Sequence, residues 1–246
     1  LVSSEKSLGS SVSTESSSET PLGIYPVADD GSVGGAFALP ARLGAARPNL
    51  GLEGLSSWGP TLYAAVESAL TGDGLAADAN QGATVRILRR VDGEVGQFAY
   101  RTEPVPRVDG EVAVALNGVS ALAAMSDDRL LVLERAYVRA SGRHHNFIRI
   151  YLTSLAGSAP ILSHDARAAE PLPKTLVLDL ADVAALLAPP RLDNFEGMAF
   201  GPELPDGRRS LILVSDDNFS FRDCRRGDVG CPRQRTAVLI FAVDGV

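Results

Sequence analysis

The stretch Leu192-Asp193-Asn194-Phe195-Glu196-Gly197-Met198-Ala199-Phe200-Gly201-Pro202-Glu203-Leu204-Pro205-Asp206-Gly207-Arg208-Arg209-Ser210-Leu211-Ile212-Leu213-Val214-Ser215-Asp216-Asp217-Asn218-Phe219 decides how the rest of the chain is read. Two apolar runs flank Pro205-Asp206-Gly207, a combination that predicts a turn and therefore a β-hairpin. Asp193, Asn194 and Glu196 lie at one outer end, and Asp216, Asp217 and Asn218 at the other. A hairpin brings its outer ends together, so these oxygen-bearing groups converge at one edge of a sheet. Carboxylates at close range repel one another unless a cation or a shared proton intervenes. The plainer reading is a solvated hairpin end in which Asp and Asn serve as turn formers.

Repetition favours the first reading. Glu53-Gly54-Leu55-Ser56 precedes Leu62–Val66 and Glu67; Asn117-Gly118-Val119-Ser120 precedes Leu130–Leu133, Glu134 and Arg135; Glu196-Gly197-Met198-Ala199 precedes Leu211–Ser215 and Asp216. Each copy joins a polar residue and Gly to an apolar strand, a turn, a second apolar strand and an acid. The copies recur at roughly 60 to 80 residues, long for a propeller blade but compatible with a blade that carries loops.

Further β-like runs complete the modules. Leu52–Ser57, Leu62–Val66, Thr84–Val91 and Gln97–Thr102 form one group, with Asp92-Gly93 as a turn. Val119–Ala124, Leu130–Leu133, Phe147–Ser154 and Lys174–Leu180 form a second; Gly197–Phe200, Leu211–Ser215 and Thr236–Val243 form a third. Leu22–Ala28 stands alone before them, and Asp182–Leu187 reads as a single helical turn or two, ended by Pro189-Pro190. The expected fold class is all-β, a β-propeller of four-stranded antiparallel blades. Propellers typically use four to eight blades, so the expectation is a partial one with N-terminal blades missing; closure through oligomerisation is the other option. Residues 1–20, rich in Ser, Thr and Glu, are expected to be a disordered or linker segment, leaving 21–246 as the propeller domain.

Composition narrows the function. A net charge of −7, with basic residues scattered along the sequence, argues against a nucleic-acid partner. No apolar run approaches the length of a membrane span.

The stretches Arg47-Pro48-Asn49-Leu50-Gly51-Leu52-Glu53-Gly54-Leu55, Arg129–Arg135, Asp193–Ala199 and Ser215–Phe219 resemble, in order and approximate spacing, the phytase-like family described as "esterase-like activity of phytase". The resemblance runs from about Leu22 to the C-terminus. It implies a β-propeller, commonly exported to the periplasm or cell exterior, and hydrolysis of a phosphate or other ester. The chain departs from the family in lacking an opening Gly-Gly-x-Ser-Gly strand with its own Ser-Asp-Asp hairpin end.

The residue types point to a chemistry independently. Calcium takes six to eight oxygen ligands, and Glu53, Glu67, Glu196, Asp216, Asp217 and Asn218 are the candidate metal ligands. A cation and an Arg would hold a phosphate ester while a metal-activated water attacks it. Glu53, Glu134, Arg135 and Glu196 are the candidate catalytic residues, with Arg135 as the anion holder. The alternative for the same residues is a structural acid–arginine network that joins blades. At the level of function, the expectation is metal-assisted hydrolysis of a small phosphate or carboxylic ester. The other class is a non-catalytic propeller that binds a ligand or protein at its channel mouth.

Weaker signals complete the reading. His144 and His145 would point to opposite faces if on a strand, and are expected in a surface loop before the Phe147 strand. No Gly-x-Ser-x-Gly elbow is present, so a serine-elbow hydrolase is unsupported. Cys224 and Cys231, the only cysteines, bracket a short Gly-containing loop that includes Arg226-Gly227-Asp228. They are expected to form a disulfide, which export would favour; free thiols, or two ligands of a metal site, are the alternatives.

Overall fold

The chain folds into antiparallel sheets, each made of consecutive strands. In a computed structural model, residues 1–4, 22–110, 114–140, 143–162, 165–186, 192–217 and 236–244 are described. The first sheet holds β3 (Leu52–Trp58), β4 (Thr61–Val66), β5 (Thr84–Val91) and β6 (Glu94–Arg101). The second holds β7 (Val114–Ala124), β8 (Arg129–Ala140), β9 (Arg143–Ser154) and β10 (Lys174–Asp179). The third holds β11 (Asn194–Glu203), β12 (Arg209–Asp216) and β13 (Val238–Val243). A two-stranded pair, β1 (Val2–Ser4) with β2 (Gly23–Tyr25), precedes them.

Local chemistry accounts for the hairpins. Asp92 and Gly93 both take positive φ, 49° and 90°, so β5 and β6 are joined by a tight turn whose twist matches the strands. Gly207 has φ 84° in the β11–β12 turn, where a side chain would be strained.

The sheets form a propeller-like series with apolar layers between them. Tyr63, Val85, Ile87 and Tyr100 of the first sheet pack with Val119, Leu122, Leu130 and Val132 of the second. Leu131, Leu133, Ile148 and Ile150 from the opposite face of the second sheet pack with Phe195, Leu211 and Leu213 of the third. Alternation along β8 therefore supplies both layers. Strand β7 lies between β3 and β11. It meets β3 closely: a Cβ on Gly54 would stand 2.8 Å from Leu122 Cγ, and the Ser56 hydroxyl accepts from Ala124 N at 2.9 Å.

The first strand of each of the three larger sheets carries a β-bulge, and the bulges fix how the repeats correspond. Pairing with the second strand skips Glu53 in β3, Ser120 in β7 and Glu196 in β11. The sequence repeat aligns Asn117 with Glu53 and Glu196; the register places Ser120 there instead. Two residues before each bulge stand Gly51, Gly118 and Asn194. Opposite them lie Glu67, Arg135 and Asp216: Glu67 N donates to Gly51 O, while Arg135 pairs with Gly118 and Asp216 with Asn194. Arg135, not Glu134, is thus the middle sheet's counterpart of the two acids.

Other expectations are corrected by the strands themselves. Val2–Ser4, inside the segment expected to be disordered, pairs with β2, because backbone hydrogen bonds suffice for a short edge pair whatever the side chains. His144 and His145 lie on β9 rather than in a loop, since that strand begins at Arg143 and pairs fully with β8. The one or two helical turns expected over Asp182–Leu187 are two 3-10 turns that begin earlier, Leu180–Asp182 and Ala184–Leu186; the Asp179 carboxylate caps the first by accepting from Ala181 N at 3.0 Å. Among the described residues no helix is long and apolar enough to cross a membrane.

Candidate functional site

Side chains from all three sheets meet at Arg135. Its Nη2 lies 3.3 Å from Glu67 Oε1, at the end of the first sheet, and 3.4 Å from Glu196 Oε1, on the bulge of the third. Its Nε donates to the Ser120 hydroxyl at 3.3 Å, on the bulge of the second. Bulges turn a side chain out of the regular alternation, and here two of them present Ser120 and Glu196 to the same guanidinium. Glu67 is nearly buried, at 4% side-chain exposure, whereas Glu196 keeps 29%. Asn194 Nδ2 donates to Glu196 Oε1 at 2.6 Å and orients that carboxylate.

Gly118 permits this approach. A Cβ there would stand 2.7 Å from both Glu67 Cγ and Glu67 O, so no larger residue fits without moving Glu67. Val119 N donates to that same Glu67 carbonyl at 3.0 Å, tying the end of the first sheet to β7.

Glu134 belongs to a different cluster. It faces the layer between the first and second sheets, buried at 2% exposure. Its Oε1 accepts from Tyr100 OH and Lys174 Nζ, each at 2.7 Å, and its Oε2 accepts from Glu103 N at 2.8 Å and Asn117 Nδ2 at 3.0 Å. Four donors on one buried carboxylate make a structural knot. Lys174 also pairs with Glu103 at 2.9 Å and lies over the rings of Tyr151 and Tyr100. Burial, then the charge and hydrogen bond of Glu134, push the Tyr100 hydroxyl well above the ordinary tyrosine value. Tyr151 is pushed the same way, by burial and by the charges of Glu134 and Glu103.

The other expected site residues are placed as follows. Glu53 is the half-buried bulge residue of β3. Asp216 closes β12 opposite Asn194, and Asp217 follows it. Asn218, Cys224, Cys231 and Arg226-Gly227-Asp228 lie outside the described residues. The structure therefore gathers Glu67, Ser120, Arg135 and Glu196, and sets Glu134 apart.

A calcium ion does not fit this gathering. The position between Glu67 and Glu196, where a cation would relieve their repulsion, is taken by the Arg135 guanidinium. Among the described residues no group of three or more His, Cys, Asp or Glu side chains is arranged to hold a metal ion.

Sequence reasoning missed Ser120, whose bulge position is invisible without the strand register. It also missed the pair Asp73–Arg86, buried at the far face of the first sheet. Arg86 Nε and Nη2 meet the two Asp73 oxygens at 2.6 and 2.9 Å, and Ala166 N donates to Asp73 Oδ1 at 3.2 Å. An Asp in a Gly-containing loop thirteen residues before an Arg on an apolar strand gives no signal of pairing.

Residues 2–219 match the family model described as phytase-like, esterase-like activity of phytase. No curated protein and no solved structure matches the chain.

Proposed function

The chain belongs to the phytase-like family, and on that premise we propose that it hydrolyses an ester, phosphate or carboxylic, at the Arg135 centre. The observation that carries the reading is a single guanidinium shared by Glu67 and Glu196 from two different sheets. Arg135 would hold the ester's oxygens and stabilise the negative charge that develops on them. Glu196, the more exposed of the two acids, would take the proton from an attacking water. Glu67, almost fully buried, would hold Arg135 in place. No step is drawn through a metal, because these residues do not assemble the oxygens calcium requires.

The test is an assay of the purified protein against panels of phosphate and carboxylic esters, with added calcium and with chelator. Glu196→Gln should lower kcat by about 100-fold or more with KM little changed, as loss of a general base does. Turnover retained in Glu196→Gln would reject the assignment.

One observation favours the second class, a binding site without chemistry. Glu67, Glu196 and Ser120 all already engage Arg135, so the arginine is held as a fixed recognition group. No ester turned over under any condition, together with anion binding that is lost in Arg135→Gln, would support that reading instead.

A further inference from the structure

We propose that two copies of this chain join head to tail into one closed ring, the open face of each third sheet seated on the β1–β2 end of the other copy.

The repeat shows which face of the third sheet is open. Two residues before Glu67, Arg135 and Asp216 stand Ala65, Leu133 and Val214, and the next strand sets Ile87, Ile150 and Val238 directly opposite them. Opposite side chains share a face, so these pairs mark the same face of each sheet. In the first sheet that face is buried against the second, and in the second sheet it is buried against the third. In the third sheet Val214 and Val238 are exposed, as is Ile240, which lies opposite Ile212 further along the same face. The other face of β13, with Leu239, Phe241 and Val243, packs inward with the second sheet's residues. Strand β13 carries no charge along its length, and an uncovered apolar strand of this kind at a sheet edge invites pairing or covering.

The β1–β2 end is built the same way in reverse. Val2 pairs with Tyr25, and Val27 bridges to Val33 beyond it, so alternation sets these four side chains on one face. Val2, Val27 and Val33 are exposed. Ile24, on the other face, is buried with Leu62, Ala64 and Val66 of the first sheet. Each end of the series therefore buries one apolar face and leaves another outward.

The order of the layers gives the open faces their occupant. Every layer inside the chain joins unlike faces of successive sheets: Ala65 and Ile87 meet Leu122 and Leu130, while Leu133 and Ile150 meet Phe195 and Leu213. A second copy continues that order when its β1–β2 end covers the first copy's third sheet. Head-to-tail contacts make a ring when their rotation closes. Propellers take roughly four to eight sheets. One copy supplies three of the larger sheets, two supply six with a strand pair at each junction, and three would supply nine. Two copies therefore fit. Closure also bears on the Arg135 centre: β7 lies between β3 and β11, whose bulges face that centre, so both copies' centres would open on one shared channel.

Sedimentation equilibrium of the full chain tests this by mass alone, apart from any turnover. Wild-type protein should be a dimer that dissociates only on dilution. Ile240→Glu or Val33→Lys alone should raise the dissociation constant by about tenfold or more. Mixing the two variants should restore a dimer, because one contact then sets Glu against Lys and the other is unaltered. Val177→Lys, exposed on β10 in the middle sheet, should assemble as wild-type does. A wild-type monomer at every concentration overturns the second copy as occupant, and an assembly larger than two overturns the closed ring. A dimer that survives Val33→Lys would pack third sheet on third sheet and overturns the head-to-tail contact, as does a mixture no better associated than its parts. An equal loss in Val177→Lys overturns it too. The substituted side chains are exposed, and circular dichroism of each variant establishes that the fold is kept.

Discussion

Glu134 and Arg135 are consecutive in the chain and serve opposite faces of β8. Glu134 turns to Tyr100, Asn117 and Lys174 between the first two sheets; Arg135 turns to Glu67 of the first sheet's end and Glu196 of the third sheet's bulge. A period of two residues per strand makes this division unavoidable. It separates a residue that ties two sheets together from the one proposed to hold a ligand, at adjacent positions.

Stability should therefore follow Glu134 and ligand chemistry Arg135. Glu134→Ala leaves Lys174 and Asn117 without their buried acceptor, and loss of one partner of a buried pair costs about 3 kcal/mol. Arg135→Gln leaves the nearly buried Glu67 without its partner, but Glu196 stays partly solvated, so its cost should be the smaller of the two. Urea denaturation of both variants measures the two values. A larger loss in Arg135→Gln would reverse the assignment.

The tyrosines beside Glu134 predict an alkaline limit. Tyr100 and Tyr151 have hydroxyls raised above the ordinary value, mainly by burial and then by nearby carboxylates. In the unfolded chain they release protons at about pH 10, while the folded chain keeps them. The folded state then binds more protons, so stability is intact below pH 10 and falls as pH rises beyond it. Denaturation midpoints at pH 9, 10 and 11 should fall steadily in wild-type and less steeply in Tyr100→Phe. Equal slopes would show that Tyr100 does not carry the effect.

Gly118 predicts a coupled loss. Gly118→Ala places a methyl 2.7 Å from Glu67 on both its side chain and its carbonyl oxygen. Overpacking of this kind costs about 1–3 kcal/mol, and displacing Glu67 disturbs Arg135. Reduced stability together with weakened orthophosphate binding is the expected result. Unaltered binding would mean that Glu67 does not position the arginine.

Much of the fold was legible because its signals are local. The alternation of apolar residues, Asp92-Gly93 and Pro205-Asp206-Gly207 located the hairpins, and the grouping of strands followed from them. The repeat also pointed to Glu67, Arg135 and Glu196. The error at the middle copy came from the bulge: Asn117-Gly118 looks like Glu53-Gly54, but the register turns at Ser120. A one-residue irregularity in pairing has no signature in composition.

Asp73 and Arg86 give the last prediction, on the acid side. Both side chains are buried, with Gln97 Oε1 accepting from Arg86 Nη1 at 2.9 Å. Burial alone would raise the Asp73 carboxyl; the Arg86 hydrogen bonds, the Ala166 N–H and the charges of Arg86 and Arg42 outweigh it and hold the group below the usual carboxylate value. A depressed value means that the pair's stabilisation is present above the ordinary range near pH 4 and is lost as pH falls through the folded-state value. Asp73→Asn keeps the shape and removes the charge, leaving Arg86 buried beside a neutral amide, at a cost of about 3–5 kcal/mol at pH 7. As pH falls below the ordinary carboxylate value near 4, the unfolded chain takes up the proton before the folded one, so the gap between the two should narrow. Denaturation at pH 7, 5 and 3 follows it directly, and a gap that stays constant across that range would place the Asp73 contribution in packing rather than in charge.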